Sequence, residues 1–153
     1  MSIFPIFKKA PFFTEEEKLR IVNAIRQAEQ QTSGEIRVYV ESKNVYVDAM
    51  DRAAEVFYDL KMDKTDNRNA VLLYIAMKDK ELVLFGDEGI YNQTGELYWN
   101  NAVKKMLKNF KEHHITEGVV QCILEIGQTL KEKFPYNKTN DKNELPDEIV
   151  FGN

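Results

Sequence analysis

The chain has one cysteine, two histidines and no long apolar run, and each shortage excludes something. Cys122 has no partner, so an intrachain disulfide is impossible. No segment approaches the ~20 consecutive apolar residues that span a bilayer. Residues 1–13 are aromatic and apolar, but Pro5, Lys8, Lys9 and Pro11 interrupt them. They lack the basic n-region and continuous h-region of a signal peptide, so the expected location is the cytoplasm. With 21 basic against 25 acidic residues, no positive excess exists to track the phosphates of nucleic acid. The pair His113–His114 has no Cys, His or Glu at metal-ligand spacing and reads as a loop before a helix. A GxSxG elbow, a P-loop and a dinucleotide fingerprint are all missing. Internal repeats and a second domain are missing too.

What is present suits one globular domain. At 153 residues, 43% hydrophobic and 30% charged, the chain is large enough to bury a real core. The expected division is an aromatic segment over 1–13, an α/β domain over 14–136 and a polar, flexible tail over 137–153.

Thr14-Glu15-Glu16-Glu17 reads as a capping box opening a first helix, with Leu19, Val22, Ile25 and Ala28 as its buried stripe. Gly34 suits a tight or left-handed turn. Glu35 to Ser42 alternates: Ile36, Val38 and Val40 face one way, Arg37, Tyr39 and Glu41 the other. This predicts a strand nearer a sheet edge than the next one. Asp48 is placed to cap a second helix with Met50, Ala53, Ala54 and Phe57 as its stripe. Asp51, Glu55 and Asp59 on its other side read as a solvated face. Strand, helix, strand implies a right-handed crossover and parallel pairing.

Asn67 to Gly89 organises the rest. Ala70–Met77 is an unbroken apolar run, Lys78–Lys80 a polar break, and Leu82–Phe85 a second apolar run closed by Gly86. Strands this close form an antiparallel hairpin, since a parallel return needs a dozen or more residues. Beyond it, Thr94 and Thr116 are expected to cap two further helices. Their stripes are Ala102, Val103, Met106, Leu107 and Phe110, with Leu97 and Trp99 at the start, then Val119, Ile123, Ile126, Leu130 and Phe134. Cys122 sits among apolar residues as a small buried side chain. Leu145 to Phe151 carries enough apolar surface to dock, without an indicated place.

The topology brings three loops to one border of the sheet. Ser33-Gly34-Glu35 opens the first strand, Asn67–Asn69 opens the second, and Asp87 closes the hairpin. Thr65, Asp66, Asn67 and Asn69, with Asp87 and Glu88 opposite and Glu35 beside them, are oxygen donors of the kind a hard cation takes. Asp63, Thr65, Asn67 and Asn69 even alternate as in an EF-hand. That match fails at Arg68, where glycine belongs, and at Tyr74, where the bidentate glutamate belongs. The competing reading is that these residues are turn formers with local hydrogen bonds.

Five stretches together resemble the TPM domain family. They are Phe13-Thr14, Thr32 to Val38, Asp51 to Phe57, Arg68 to Ile75 and Phe85 to Ile90, in an order that extends from Phe13 to Phe134. The resemblance implies a three-layer α/β/α sandwich with a Rossmann-like mixed sheet. It also implies a divalent cation, often calcium with magnesium as the alternative, at an acidic rim. Carried over by position, that rim includes Glu35, Asn69 and Asp87, with Thr65, Asp66 and Asn67 in the preceding loop. A phosphatase activity attributed to some members implies a second reading, metal-dependent hydrolysis of phosphomonoesters. The first reading is a cation-binding interaction or stabilising module with a protein or phosphate-bearing partner. Two features depart from the family pattern: Ala70 stands where many members have glycine, and the usual signal peptide, transmembrane helix and Gly-rich tail are absent.

Overall fold

The computed structural model describes residues 12–44, 48–111, 114–136 and 145–152. The first eleven residues, His113 and residues 137–144 lie outside the described residues, as does the Phe110 side chain. The element order is α1 (Glu15–Glu29), β1 (Glu35–Glu41), α2 (Ala49–Asp59), a 3-10 turn (Met62–Lys64), β2 (Ala70–Ala76), β3 (Glu81–Gly86), α3 (Glu88–Thr94), α4 (Glu96–Lys111), α5 (Ile115–Lys133) and β4 (Val150–Phe151). The strands form one open sheet in the order β3-β2-β1-β4. β1 runs parallel to β2, and β2 and β3 form the antiparallel hairpin.

Alternation along the strands builds the layers. Ile36, Val38, Val40, Val71, Leu73, Ile75, Leu82 and Leu84 meet α1, α4 and α5 on one face. Tyr39, Leu72, Tyr74, Val83 and Phe85 meet Ala53, Val56 and Phe57 of α2 and Met62 on the other. The result is an α/β/α sandwich. β2 is fully buried on both faces, as its unbroken apolar run requires. No helix among the described residues is long and apolar enough to cross a membrane.

Local signals act where expected at two helix starts and differ at the others. Thr14 and Glu17 form the capping box. Glu17 uses its second oxygen to accept the Thr116 hydroxyl at 2.5 Å, which joins the starts of α1 and α5 and lowers its pKa. Asp48 caps α2 through the Met50 N–H at 2.8 Å. The buried stripe of α1, however, is Ile21, Ala24, Ile25 and Ala28, and Leu19 is 61% exposed. α2 buries Val56 and turns Met50 outward. Both helices carry more apolar residues than their stripes need, so sequence spacing alone admits two rotations. Leu97 is likewise exposed, while Trp99 is buried.

Thr94 does not cap a helix. It ends α3, donates to the Ile90 carbonyl at 3.0 Å and accepts the Trp99 indole N–H at 2.9 Å. Gly95, at φ +82°, makes the break before α4. The α5 cap position belongs to His114, and Thr116 lies in the first turn. Gly34 is not left-handed. A side chain there would stand 2.7 Å from the Leu130 side chain of α5, which would have to shift to admit it. β1 is interior, but its outer side is covered only at Tyr39 and Val40, where β4 pairs parallel to it. That pairing is where the apolar end of the chain docks, with Leu145 and Ile149 packing on opposite faces.

Candidate functional site

Glu35, Asn69 and Asp87 lie along one border of the sheet. Glu35 is in register with Ala70, and the Ala70 carbonyl accepts the Asp87 N–H at 2.9 Å. Glu35 and Asp87 are therefore two strand spacings apart, about 9–10 Å, with Asn69 beside the strand between them. This is the border where the parallel strands begin. Nucleotide crevices of doubly wound sheets lie at the opposite one, so the candidate site is of another kind.

Each loop is held by its own bonds. The Thr65 hydroxyl accepts the Asn69 N–H at 3.3 Å, and the Thr65 carbonyl accepts the Arg68 N–H at 3.3 Å. Arg68 takes the left-handed backbone, φ +50°, for which glycine is the usual residue. Such a conformation costs a non-glycine residue about 1–3 kcal/mol. The turn is seated on α3: Gly89 donates to the Arg68 carbonyl at 2.8 Å, and a side chain at Gly89 would stand 2.2 Å from the Asn67 carbonyl oxygen. Asp87 caps α3 by accepting the Glu88 N–H at 2.8 Å. Its carboxylate also receives a two-pronged arginine contact, Arg68 Nε to Oδ2 at 2.6 Å and Nη2 to Oδ1 at 2.9 Å. Arg68 Nη1 reaches exposed Glu88 at 3.0 Å. This pairing raises the Arg68 pKa.

Asn69 is 0% exposed. Its Nδ2 donates to Ser33 Oγ at 3.2 Å, linking the loops before β1 and β2. Its Oδ1 accepts no hydrogen bond among the described residues. An unsatisfied buried amide oxygen costs about 1–3 kcal/mol.

Of the seven residues the sequence singles out, Glu35, Thr65, Asn69 and Asp87 are buried at this border. Asp66, Asn67 and Glu88 are exposed around it. Among the described residues no group of three His, Cys, Asp or Glu is arranged to hold a metal ion. A cation here would have to draw on amide, hydroxyl or carbonyl oxygens as well as carboxylates. The donor chemistry fits a hard cation: two buried carboxylates, an amide oxygen without a hydrogen bond, and the Ser33 and Thr65 hydroxyls. The Arg68 contact on Asp87 works against it.

Sequence reading passes over Glu29. Its carboxyl accepts the Ile36 N–H at 2.7 Å. Burial, a hydrogen bond with Asp147 and the nearby Glu35 charge push its pKa up to about 11. A signal was present, because Glu29 stands four and eight residues after Ile25 and Ile21 on the buried stripe. Arg37, buried nearby, has its pKa lowered by burial, and its Nε makes no hydrogen bond among the described residues. Cys122 is buried, with its thiol pushed up to about 12, which makes it inert.

A sequence model of the TPM domain family matches residues 6–129. The BA42 protein of the psychrophilic bacterium Bizionia argentinensis, solved by NMR, is 41% identical over 95% of this chain and 99% of its own, with a TM-score of 0.87. The N-terminal domain of the cg2496 protein of Corynebacterium glutamicum is 12% identical, covers 80% of this chain and 85% of its own, and has a TM-score of 0.61. The N-terminal domain of a P. gingivalis protein is 14% identical over 82% of this chain and 81% of its own, at 0.66. At such identities the latter two show the fold alone. None of the curated proteins matches. The family match over most of the chain, with a closely superposable relative, places the protein in one family: it belongs to the TPM domain family.

Proposed function

We propose that this border binds a divalent cation, calcium in preference to magnesium, and that the domain acts as a cation-stabilised interaction module. The observation that carries the reading is Asn69: a fully buried amide whose oxygen has no donor among the described residues, between two buried carboxylates. Glu35, Asn69 and Asp87 would hold the ion, with Thr65 supporting the loop and Asp66, Asn67 and Glu88 supplying charge around it. An irregular set of carboxylate, amide and hydroxyl oxygens suits calcium better than magnesium, which demands a near-ideal octahedron. When bound, the cation supplies charge that offsets the buried carboxylates and joins three loops. Binding only the folded state, it stabilises in proportion to its occupancy.

A second reading has one observation in its favour, the Arg68 guanidinium at the border. Its fork matches phosphate oxygens, as phosphomonoester hydrolysis requires. Among the described border residues, Ser33 and Thr65 supply hydroxyls and no Cys or His is present, so the attacking group would be water or one of those hydroxyls.

Thermal unfolding with and without millimolar calcium tests the first reading. The midpoint should rise in the native protein and stay fixed in Asp87→Asn. No rise in the native protein would favour the view that the loops are plain turns. Release of p-nitrophenol from its phosphate ester tests the second, and turnover that survives Asp87→Ala would mark a contaminant.

A further inference from the structure

We infer that Arg68 is an internal counter-ion at this border, occupying Asp87 until a cation displaces it. The inference rests on the cation-binding reading above. An ionised aspartate offers about four acceptor positions. Three are taken at Asp87: Oδ1 by Arg68 Nη2 and the Glu88 N–H, Oδ2 by Arg68 Nε. A cation cannot take both oxygens while the fork is in place. Through the one remaining position it would sit beside the guanidinium, two positive charges sharing one carboxylate. Calcium binding and the Arg68 contact are therefore competitive.

The surroundings suit such an exchange. The Arg68 side chain is 38% exposed, so water can receive the released guanidinium. Glu88, exposed and already bonded to Nη1, can retain it at one end. The left-handed backbone at Arg68 aims the side chain back across the hairpin mouth, where a glycine would satisfy the turn but offer no charge. In the metal-free protein Arg68 thus offsets the Asp87 charge and closes the border. Occupancy would be reported outward as a freed arginine.

Calorimetric titration with calcium chloride on the native protein, Arg68→Gln and Arg68→Lys tests this. It is paired with the Arg68 Nε–Hε resonance of the native protein, which reports the contact even if a variant folds poorly. Both variants should bind calcium about tenfold more tightly, the effect of removing roughly 1.4 kcal/mol of competition. The native Nε–Hε resonance should move toward its solvent-exposed position as calcium saturates. If calcium binds while that resonance stays fixed and both variants match the native affinity, the counter-ion role is wrong and the cation site stands. If Lys behaves as Arg while Gln binds tighter, only general charge matters and the fork is not the competitor. If none of the three proteins binds calcium at millimolar concentration, the cation reading fails and takes this inference with it.

Discussion

The two borders of the sheet each carry an arginine fork on a buried carboxylate, in different surroundings. Where β1 ends, Arg52 holds Glu41 through Nε at 2.8 Å and Nη2 at 2.9 Å, and Tyr74 donates its hydroxyl to the same carboxylate. Arg52 also pairs with Glu55 and lies 5.7 Å from the Tyr39 ring centroid. Burial alone would raise the Glu41 pKa, but the Arg52 and Tyr74 hydrogen bonds outweigh it and the pKa falls. Where β1 begins, Arg68 holds Asp87, but it is 38% exposed against 15% for Arg52, and its backbone is left-handed. It lies at the border that also holds Asn69, with its unbonded oxygen. Among the described residues each border holds a buried oxygen without a hydrogen bond, Ser42 Oγ beside Glu41 and Asn69 Oδ1 beside Asp87, and each has a left-handed residue, Lys80 and Arg68. What closes the first border is its fork, which is buried and joined by Tyr74; at the second the left-handed residue is itself the exposed arginine of the fork. Similar ion-pair geometry therefore does not mean similar purpose, and the groups around each fork separate them.

The largest expected effect is at the closed border. Arg52→Ala would leave the buried Glu41 with the Tyr74 hydroxyl but no counter-charge and should cost about 3–5 kcal/mol in urea unfolding. The loss at Arg68→Ala should be smaller; equal losses would erase the distinction. Gly89→Ala comes next. It forces a side chain against the Asn67 and Arg68 carbonyls and should cost about 1–3 kcal/mol, with a weaker calcium response.

A pH series sharpens the contrast further. Burial, the Asp147 hydrogen bond and the Glu35 charge raise the Glu29 pKa from the usual 4.5 to about 11, which favours the protonated carboxyl in the folded protein. Between those values the unfolded chain loses that proton and the folded chain retains it, so stability falls as pH rises. Glu29→Gln mimics the protonated form. It should stabilise the protein at pH 7 by about 1–2 kcal/mol, and the gain should vanish near pH 4. The lowered Glu41 pKa gives the opposite sign: its contribution is present above the unfolded value and lost as acid passes the folded one. The smallest effect is Asn69→Ala. Losing the Ser33 bond is partly offset by removing the unsatisfied oxygen, so metal-free stability should change by less than about 1 kcal/mol while the calcium response disappears.

The sheet was legible because its signals are local and redundant. The apolar run of β2, the short break at Lys78–Lys80 and the alternation in β1 each allow one arrangement, and together they bring Glu35, Asn69 and Asp87 to one border. Helix rotation was less so, since Leu19 and Met50 satisfy the same spacing as the residues that are buried. α3 was missed because Asp87 reads as a hairpin end or as an N-cap with equal ease. The arginine forks were out of reach. Whether Arg68 turns toward Asp87 depends on a left-handed backbone, and whether Arg52 reaches Glu41 depends on how α2 lies on the sheet. Glu29 left a trace on its helix stripe, but Asp147 arrives from the far end of the chain with no local mark.

The most direct test is a calcium titration followed by carboxyl and side-chain amide NMR at both borders at once. Saturable shifts at Asn69, Asp87 and Glu35, with Glu41 and Tyr74 unmoved, are the predicted result. Shifts that gather at Glu41, or none at millimolar calcium, would contradict it.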